Sequence, residues 1–242
     1  MALGALINAG AILNRVAAEV GVAPVADPYA SQDPIFVQMT YLLNTAGEEL
    51  SQLYPWELLV RNHQIVTQSG DTGAYDLPTD FAYMLNQTGW EKSQNIPLGG
   101  PLSAQEWTYL KGRDLAQSTL YASFRLAEGK FNVYPDPPPV GLDINFEYST
   151  LNWVKSAAGV EQNQVVLTGD IPQFDRTLIT RMVKVKYLES AGFDTTKAQA
   201  DLNQIFGLLT GNEKGAQILS AGGRRSYPYI TMGNVPDNGF GH

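Results

Sequence analysis

The 242-residue sequence contains no cysteine and only two histidines, His63 and His242. The lack of cysteine excludes disulfides, thiolate zinc sites, iron–sulfur clusters and cysteine nucleophiles. Because the second histidine is the last residue, the sequence offers no histidine pair from which to build a site. For His63, in a polar start to a strand, a surface histidine or a strand histidine with satisfied hydrogen bonds is favoured over general-base or metal-ligand chemistry. We therefore expect no cofactor, no bound metal and no enzyme activity.

Charge is also scarce and has an acidic balance. Charged residues make up 17% of the chain, below the usual ~25%, and 24 Asp and Glu against 16 Lys and Arg give a net charge of −8. Such a chain lacks the basic footprint that phosphates of nucleic acids or anionic membranes require. The basic residues of one predicted helix, Arg176, Arg181, Lys184 and Lys186, therefore fit a solvated face or a subunit contact better than a DNA contact.

Long hydrophobic runs are missing as well. No run reaches the ~18 apolar residues of a membrane span, so no membrane is expected as a partner. The apolar stretch 2–13 has no basic residue before Arg15, which favours a helix over a signal peptide. What the chain does have is 44% hydrophobic and 10% aromatic residues, enough for a sizeable core.

Helical periodicity marks both ends of the chain, and a period of two marks the middle. Predicted helices run over about 3–20, 34–54, 174–191 and from 195 onward, with a short one opened by the capping box of Ser103 and Glu106. Predicted strands cover 59–68, 73–77, 81–89, 119–126, 130–134, 143–148 and 164–167. The pattern predicts an α+β fold. Residues 1–57 and 170–221 would form a four-helix bundle, and 58–169 an inserted small β-barrel or sandwich.

Chemical motifs are few. The sequence has neither a nucleophile elbow nor a phosphate-binding loop. Asp76 and Asp80 could act as paired carboxylates, but beside Pro78 turn chemistry is favoured. Trp56, Trp90, Trp107 and Trp153 could form a sugar-binding platform, although core or interface packing is favoured for them.

The segment 222–242 is predicted to be an extended C-terminal arm. Glycine and proline supply seven of its 21 residues, a composition that builds no core of its own. It nevertheless carries large side chains that a flexible linker would lack, so we expect them to dock on a partner. The candidate docking residues are Arg224, Arg225, Tyr227, Tyr229, Ile230, Met232 and Phe240.

One stretch resembles a known family. The residues that carry the likeness run from Asp76-Leu77-Pro78-Thr79-Asp80-Phe81 through Gly89-Trp90-Glu91, Pro97-Leu98-Gly99-Gly100-Pro101-Leu102-Ser103 and Gln105-Glu106-Trp107, preceded by Tyr54-Pro55-Trp56. This stretch, about 54–112, resembles the head-to-tail adaptor (connector) proteins of short-tailed bacteriophages, of the tail tubular protein A-like type. The family-like structural motif comprises Leu77, Pro78, Asp80, Phe81, Trp90, Gly100, Pro101 and Trp107.

The resemblance implies a virion structural protein without catalytic activity, located at the head–tail junction and made in the host cytoplasm. Such adaptors form a twelve-subunit ring beneath the portal protein, which the arm contacts, and join it to the tail tube or nozzle protein. DNA passes through the ring as cargo. Two alternatives stay open: a cell-wall glycan hydrolase using Asp76, Asp80 or Glu106, and a carbohydrate-binding tail module dependent on Trp90 or Trp107.

Overall fold

The computed structural model describes residues 6–93, 95–112 and 123–213. Over these ranges the chain is an α+β protein with five α-helices and three antiparallel sheets, which confirms the predicted fold class. The helices are α1 (Ala9–Glu19), α2 (Pro34–Leu53), α3 (Ala104–Gly112), α4 (Arg176–Ser190) and α5 (Thr196–Glu213). The predicted arm, with all its candidate docking residues, lies outside the described residues.

The helix starts follow local capping chemistry. The Asp33 carboxylate accepts a hydrogen bond from the Ile35 amide and precedes Pro34 at the first helical position, as the sequence predicts. Asp175 caps α4 in the same way. The predicted capping box of α3 is present, with Ser103 N donating to Glu106 Oε2 and Glu106 N to Ser103 Oγ.

Helix α4 is central to the larger core, because it packs against α1, α2 and α5. Its buried side chains meet the apolar stripes of α1 and α2 in one cluster. Helix α5 adds Leu202 as its one fully buried residue and lays Ile205, Phe206 and Leu209 against the same cluster. These helices and the small sheet described below are called the helical unit.

The strands form three open sheets and, within the described ranges, no closed barrel. The strands are β1 (Val60–Val66), β2 (Ala74–Asp76), β3 (Phe81–Met84), β4 (Trp90–Glu91), β5 (Ile96–Pro97), β6 (Ser123–Ala127), β7 (Lys130–Tyr134), β8 (Asp143–Thr150), β9 (Val154–Lys155), β10 (Glu161–Gln162) and β11 (Ile171–Pro172). In the large sheet, β8 pairs with β1 on one side and with β3 and β4 on the other, and β5 pairs with β4. The facing sheet has the order β2-β7-β6, and the small sheet β10-β9-β11.

The large and facing sheets share a second core, and together they are called the β unit. Phe131 of β7 stacks on Phe124 of β6 and on Phe146 of β8, with ring centroids 4.8 and 4.9 Å apart. All three rings are buried. Of the two predicted architectures for the insert, the barrel is therefore wrong for the described residues, and the two sheets meet across an aromatic layer.

The small sheet belongs to the helical core, which differs from the predicted insert of 58–169. Trp153, Val154 and Val165 are buried in the cluster of the helical unit, and Asn44 of α2 exchanges hydrogen bonds with the Val165 backbone. The predicted strand 164–167 is not a strand. Asp170 instead holds the backbone of this segment, because its Oδ2 accepts hydrogen bonds from the Val166 and Leu167 amides.

Within the described residues, no helix is long and apolar enough to cross a membrane.

Candidate functional site

The family-like motif forms a frame within the β unit, near the end of β8 from which the chain enters the helical unit. Leu77 and Phe81 pack against the second core, and the Phe81 amide donates to the Pro78 carbonyl, closing the turn between β2 and β3. The Phe81 ring stacks on Tyr148 with centroids 5.6 Å apart. This motif fixes where β3 starts against β8.

Asp80 is the polar centre of this frame. Its carboxylate accepts hydrogen bonds from the Thr150 hydroxyl at 2.6 Å and from the Tyr148 hydroxyl at 3.1 Å. Its carbonyl accepts from the Leu151 amide at 2.7 Å. Asp80 therefore holds the chain at the point where it leaves β8 and enters the helical unit, which explains the aspartate beside the Pro78 turn.

The Gly100-Pro101 part of the motif docks on β6. The Phe124 amide donates to Gly99 O, and the Leu102 amide donates to Phe124 O. A Cβ added at Gly100 would lie 2.5 Å from Phe124 O, so only glycine lets the loop approach this closely. The motif loop thereby attaches the facing sheet to the segment that leads into α3.

An ion pair links the β unit to the helical unit. Arg61 of β1 pairs with Glu161 of β10 at 2.5 Å, with both side chains partly buried.

Burial, and then the Asp80 charge, raises the pKa of Tyr148 to about 12. Burial lowers the pKa of His63, an effect that Asp80 partly opposes, and the His63 ring packs edge-on against Phe146. His63 thus packs against the core of the β unit.

The three carboxylates considered for glycan hydrolysis each have a partner of their own. Asp76 is exposed and pairs with Lys130, Asp80 holds Tyr148 and Thr150, and Glu106 closes the capping box. Hydrogen bonds from Ser103 lower the pKa of Glu106. The structure gives these groups structural contacts and brings none of them into a shared cleft.

The four tryptophans occupy different environments. Trp56 and Trp153 are buried in the helical core, as the packing interpretation predicts, and Trp56 Nε1 donates to Leu50 O at 2.7 Å. Trp107 is half-buried, edge-on to Tyr134, with the Lys111 ammonium 5.5 Å above its ring. Trp90 lines a cleft.

The cleft beside Trp90 was not foreseen as a unit from the sequence. It encloses about 390 Å³ on the outer face of the large sheet. The side chains around it are polar apart from the indole: Asn62, Gln87, Thr88, Glu91, Lys92, Asn95, Asn145 and Glu147. These residues are scattered from β1 to β8, so only strand pairing brings them together.

On the helical unit, the predicted basic cluster of α4 is engaged within the fold. Lys184 pairs with Glu19, Lys186 with Glu49, and Arg181 donates to the Asp201 carbonyl. These contacts join α4 to α1, α2 and α5, which is a structural use of the charges. All three partners come from other helices.

An apolar patch is exposed on the helical unit. Tyr41 and Leu167 are 72% and 64% accessible, and Val37 and Val166 lie beside them in the chain and are also exposed. The hydrogen bonds between Asn44 and Val165 hold the two segments together. The four side chains, Val37, Tyr41, Val166 and Leu167, are called the apolar patch. Exposed apolar side chains held near one another are a candidate surface for protein contacts.

Comparison with protein-family models and with curated proteins found no match.

Proposed function

We propose that the protein is a ring-forming head-to-tail adaptor of a short-tailed bacteriophage virion. In this proposal about twelve copies stand beneath the portal protein, join it to the tail tube or nozzle protein, and leave a channel through which DNA passes. The helices of the helical unit act as a four-helix bundle, and 222–242 is the arm that docks on the portal. The protein is made in the host cytoplasm and performs no catalysis.

The apolar patch is the observation that carries the proposal. A ring built from one kind of subunit needs two different side surfaces that meet head to tail. Tyr41 at 72% exposure is a residue type enriched in interfaces. The patch lies on capped, well-packed segments, so little ordering cost opposes its association.

The frame around Asp80 supports the same assignment. An adaptor that joins portal to tail must hold its helical unit and its β unit in a fixed orientation relative to each other. The Arg61–Glu161 pair joins β1 of the β unit to β10 of the helical unit, and Asp80 holds the end of β8 from which the chain enters the helical unit. The residues that carry the family resemblance therefore serve rigidity, which an assembly part needs more than a catalytic pocket.

The arm proposal rests on composition and chain direction. Helix α5 ends at Glu213 on the helical unit, and the segment that follows carries three of the 16 basic residues, Lys214, Arg224 and Arg225, but one acidic residue, Asp237. Its charge is therefore opposite to that of the whole chain. A basic arm with aromatic anchors fits docking on a protein surface of complementary charge.

Mass measurement with the portal of the same phage tests the ring. We expect a defined complex of portal and adaptor in equal copy number, measured by native mass spectrometry or light scattering. Tyr41→Ala should abolish ring formation, whereas Tyr109→Ala, at a similarly exposed tyrosine of α3, should not. A portal mixture with no complex would refute the adaptor assignment, and rings unaffected by Tyr41→Ala would refute the role of the patch.

Removal of 222–242 tests the arm separately. The truncated chain should keep the thermal unfolding transition of the full chain, because both cores lie within the described residues before Glu213. It should no longer co-sediment with portal. Unchanged co-sedimentation would disprove the docking role of the arm.

A further inference from the structure

The cleft beside Trp90 has a composition that the adaptor proposal does not use. Strand register places Trp90 opposite Asn145, Gln64 opposite Asn145 on the other side, and Asn62 opposite Glu147. Paired residues of antiparallel strands project to the same face. Ile144 and Phe146 point into the second core, so this polar set occupies the opposite, outer face of the sheet.

Several of these side chains keep their hydrogen-bonding capacity. Among the described residues, no hydrogen bond or ion pair engages the side chains of Asn62, Gln87, Asn95 or Glu147. Their amides supply both donors and acceptors, and the carboxylate supplies acceptors. By contrast, Asn145, which also lines the cleft, already donates to Asp143 Oδ1, as does Gln64 of β1.

The backbone at the rim is unusual in the same place. Of the three non-glycine residues with positive φ in the described part of the chain, Gln87 (φ 62°) and Asn95 (φ 57°) both line the cleft. The third, Glu128, lies in the β6–β7 turn. Residues held in the left-handed region cost energy and cluster at binding sites. These two loops therefore hold amide side chains at the cleft edge at a conformational cost.

Charge and shape select the ligand class. Glu91 and Glu147 contribute two acidic groups and Lys92 one basic group, a balance that does not suit a polyanion. Within the described residues, no group of three or more His, Asp or Glu side chains is placed to hold a metal ion. The polar walls do not suit an apolar peptide. A pyranose ring presents a C–H face that stacks on an indole and hydroxyls that both donate and accept. The volume of about 390 Å³ lies in the range of small-ligand sites.

We propose that this cleft binds a neutral saccharide, with Trp90 as the stacking surface and Asn62, Gln87, Asn95 and Glu147 as hydroxyl partners. Such a site would let the protein contact a glycan in addition to its protein neighbours. The inference is independent of ring formation, since every residue in it belongs to one subunit. It also selects Trp90 over Trp107 as the sugar-contacting tryptophan.

Saturation-transfer NMR with maltose, cellobiose, lactose and N,N′-diacetylchitobiose tests the proposal on the full chain. At least one disaccharide should bind saturably, with Kd of about 1 mM or lower. Trp90→Ala should weaken that binding about tenfold or more, and the matched variant Trp107→Ala should leave it unchanged. Glu147→Ala changes an exposed side chain without a partner, so it should weaken binding while the unfolding temperature stays unchanged.

Two results would overturn the proposal. One is the absence of saturable binding by the wild-type chain to any of the four disaccharides. The other is binding that persists in Glu147→Ala and in folded Trp90→Ala, which would place the sugar elsewhere. If Trp90→Ala does not fold, Glu147→Ala and Asn62→Ala decide the question, because both residues are exposed.

Discussion

Replacing Gly47 by alanine should destabilise the helical core. Gly47 lies inside α2, and a Cβ built there would fall well inside van der Waals contact with three ring carbons of Trp153. Trp153 is 1% exposed and packs 5.8 Å from Phe174, so its ring has no free space to move into. Glycine is needed here for close packing of a helix on an indole.

The expected magnitude follows from two opposing effects. Alanine in a helix interior is favoured over glycine by roughly 0.5–1 kcal/mol, while overpacking a core costs about 1–3 kcal/mol. Because the indole is enclosed, we expect a net loss of about 2 kcal/mol. In a chain of this size that is a decrease of about 4–8 °C in the unfolding temperature.

Gly207→Ala in α5 is the matched control. A Cβ at Gly207 meets no atom of the described residues within 4 Å, so this change should stabilise the protein by about 0.5–1 kcal/mol through helix propensity alone. Both variants are measured by urea unfolding and thermal circular dichroism. The two substitutions are identical in chemistry and should have opposite signs.

A double-mutant cycle with Trp153→Phe tests whether the clash with the indole ring causes the destabilisation by Gly47→Ala. The smaller ring leaves room for the alanine methyl and removes Trp153 Nε1, which is buried without a partner among the described residues. In the Trp153→Phe background, Gly47→Ala should cost less, with a coupling of about 1–2 kcal/mol. The reasoning is refuted if Gly47→Ala alone is neutral or stabilising, or if the two changes are additive.

Three further predictions concern polar groups. Asp80→Ala should lower the free energy of unfolding in urea by about 2–3 kcal/mol, because it leaves the Tyr148 and Thr150 hydroxyls without their acceptor. The control Asp76→Ala, at an exposed residue, should change it by less than about 0.5 kcal/mol. Equal effects of the two substitutions would contradict the structural role of Asp80. Asp170→Ala should lower the free energy of unfolding by about 2–4 kcal/mol, since one buried oxygen accepts hydrogen bonds from two backbone amides and from the Gln162 side chain. Asp170→Asn should lower it less, because the amide keeps one oxygen as an acceptor. A larger loss in Asp170→Asn than in Asp170→Ala would contradict the role of these hydrogen bonds. The folded pKa of His63 lies below its unfolded value near 6.5, so the unfolded chain binds more protons and stability falls as pH decreases through about 6.5. The pH dependence of the stability difference between wild type and His63→Gln, measured by urea unfolding from about pH 8 to pH 5, isolates this effect, and the difference should become independent of pH at the upper end.

The elements that local chemistry specifies are the ones that the sequence predicted well. Helix α2 begins at Pro34 after the Asp33 cap, and the Lys130–Tyr134 strand has the predicted bounds. Both depend on residues within a few positions of each other. Predicted strands that ran long, such as 81–89, end early because β3 pairs with β8 only as far as Met84.

The sites depend on contacts between distant residues, and there the sequence was less informative. For Asp80 the sequence predicted local turn chemistry, whereas its carboxylate accepts hydrogen bonds from hydroxyls that lie 68 and 70 residues away. The cleft beside Trp90 joins Asn62 to Glu147 through register alone. A sequence pattern shows the periodicity of each strand, but it does not show which strands are neighbours in a sheet.

By itself the sequence determined the α+β class, the start of α2 and the capping box of α3, because each follows from short-range spacing and backbone hydrogen bonding. The predicted start of the first helix, at residue 3, is wrong, because α1 begins at Ala9 after the Asn8 cap. Only the tertiary structure decided that Trp153 and the small sheet belong to the helical core. It also decided that the lysines of α4 pair with Glu19 and Glu49, and that four uncommitted polar side chains surround Trp90. The physical reason is that burial and pairing depend on proximity in space, which the fold creates between segments far apart in the chain.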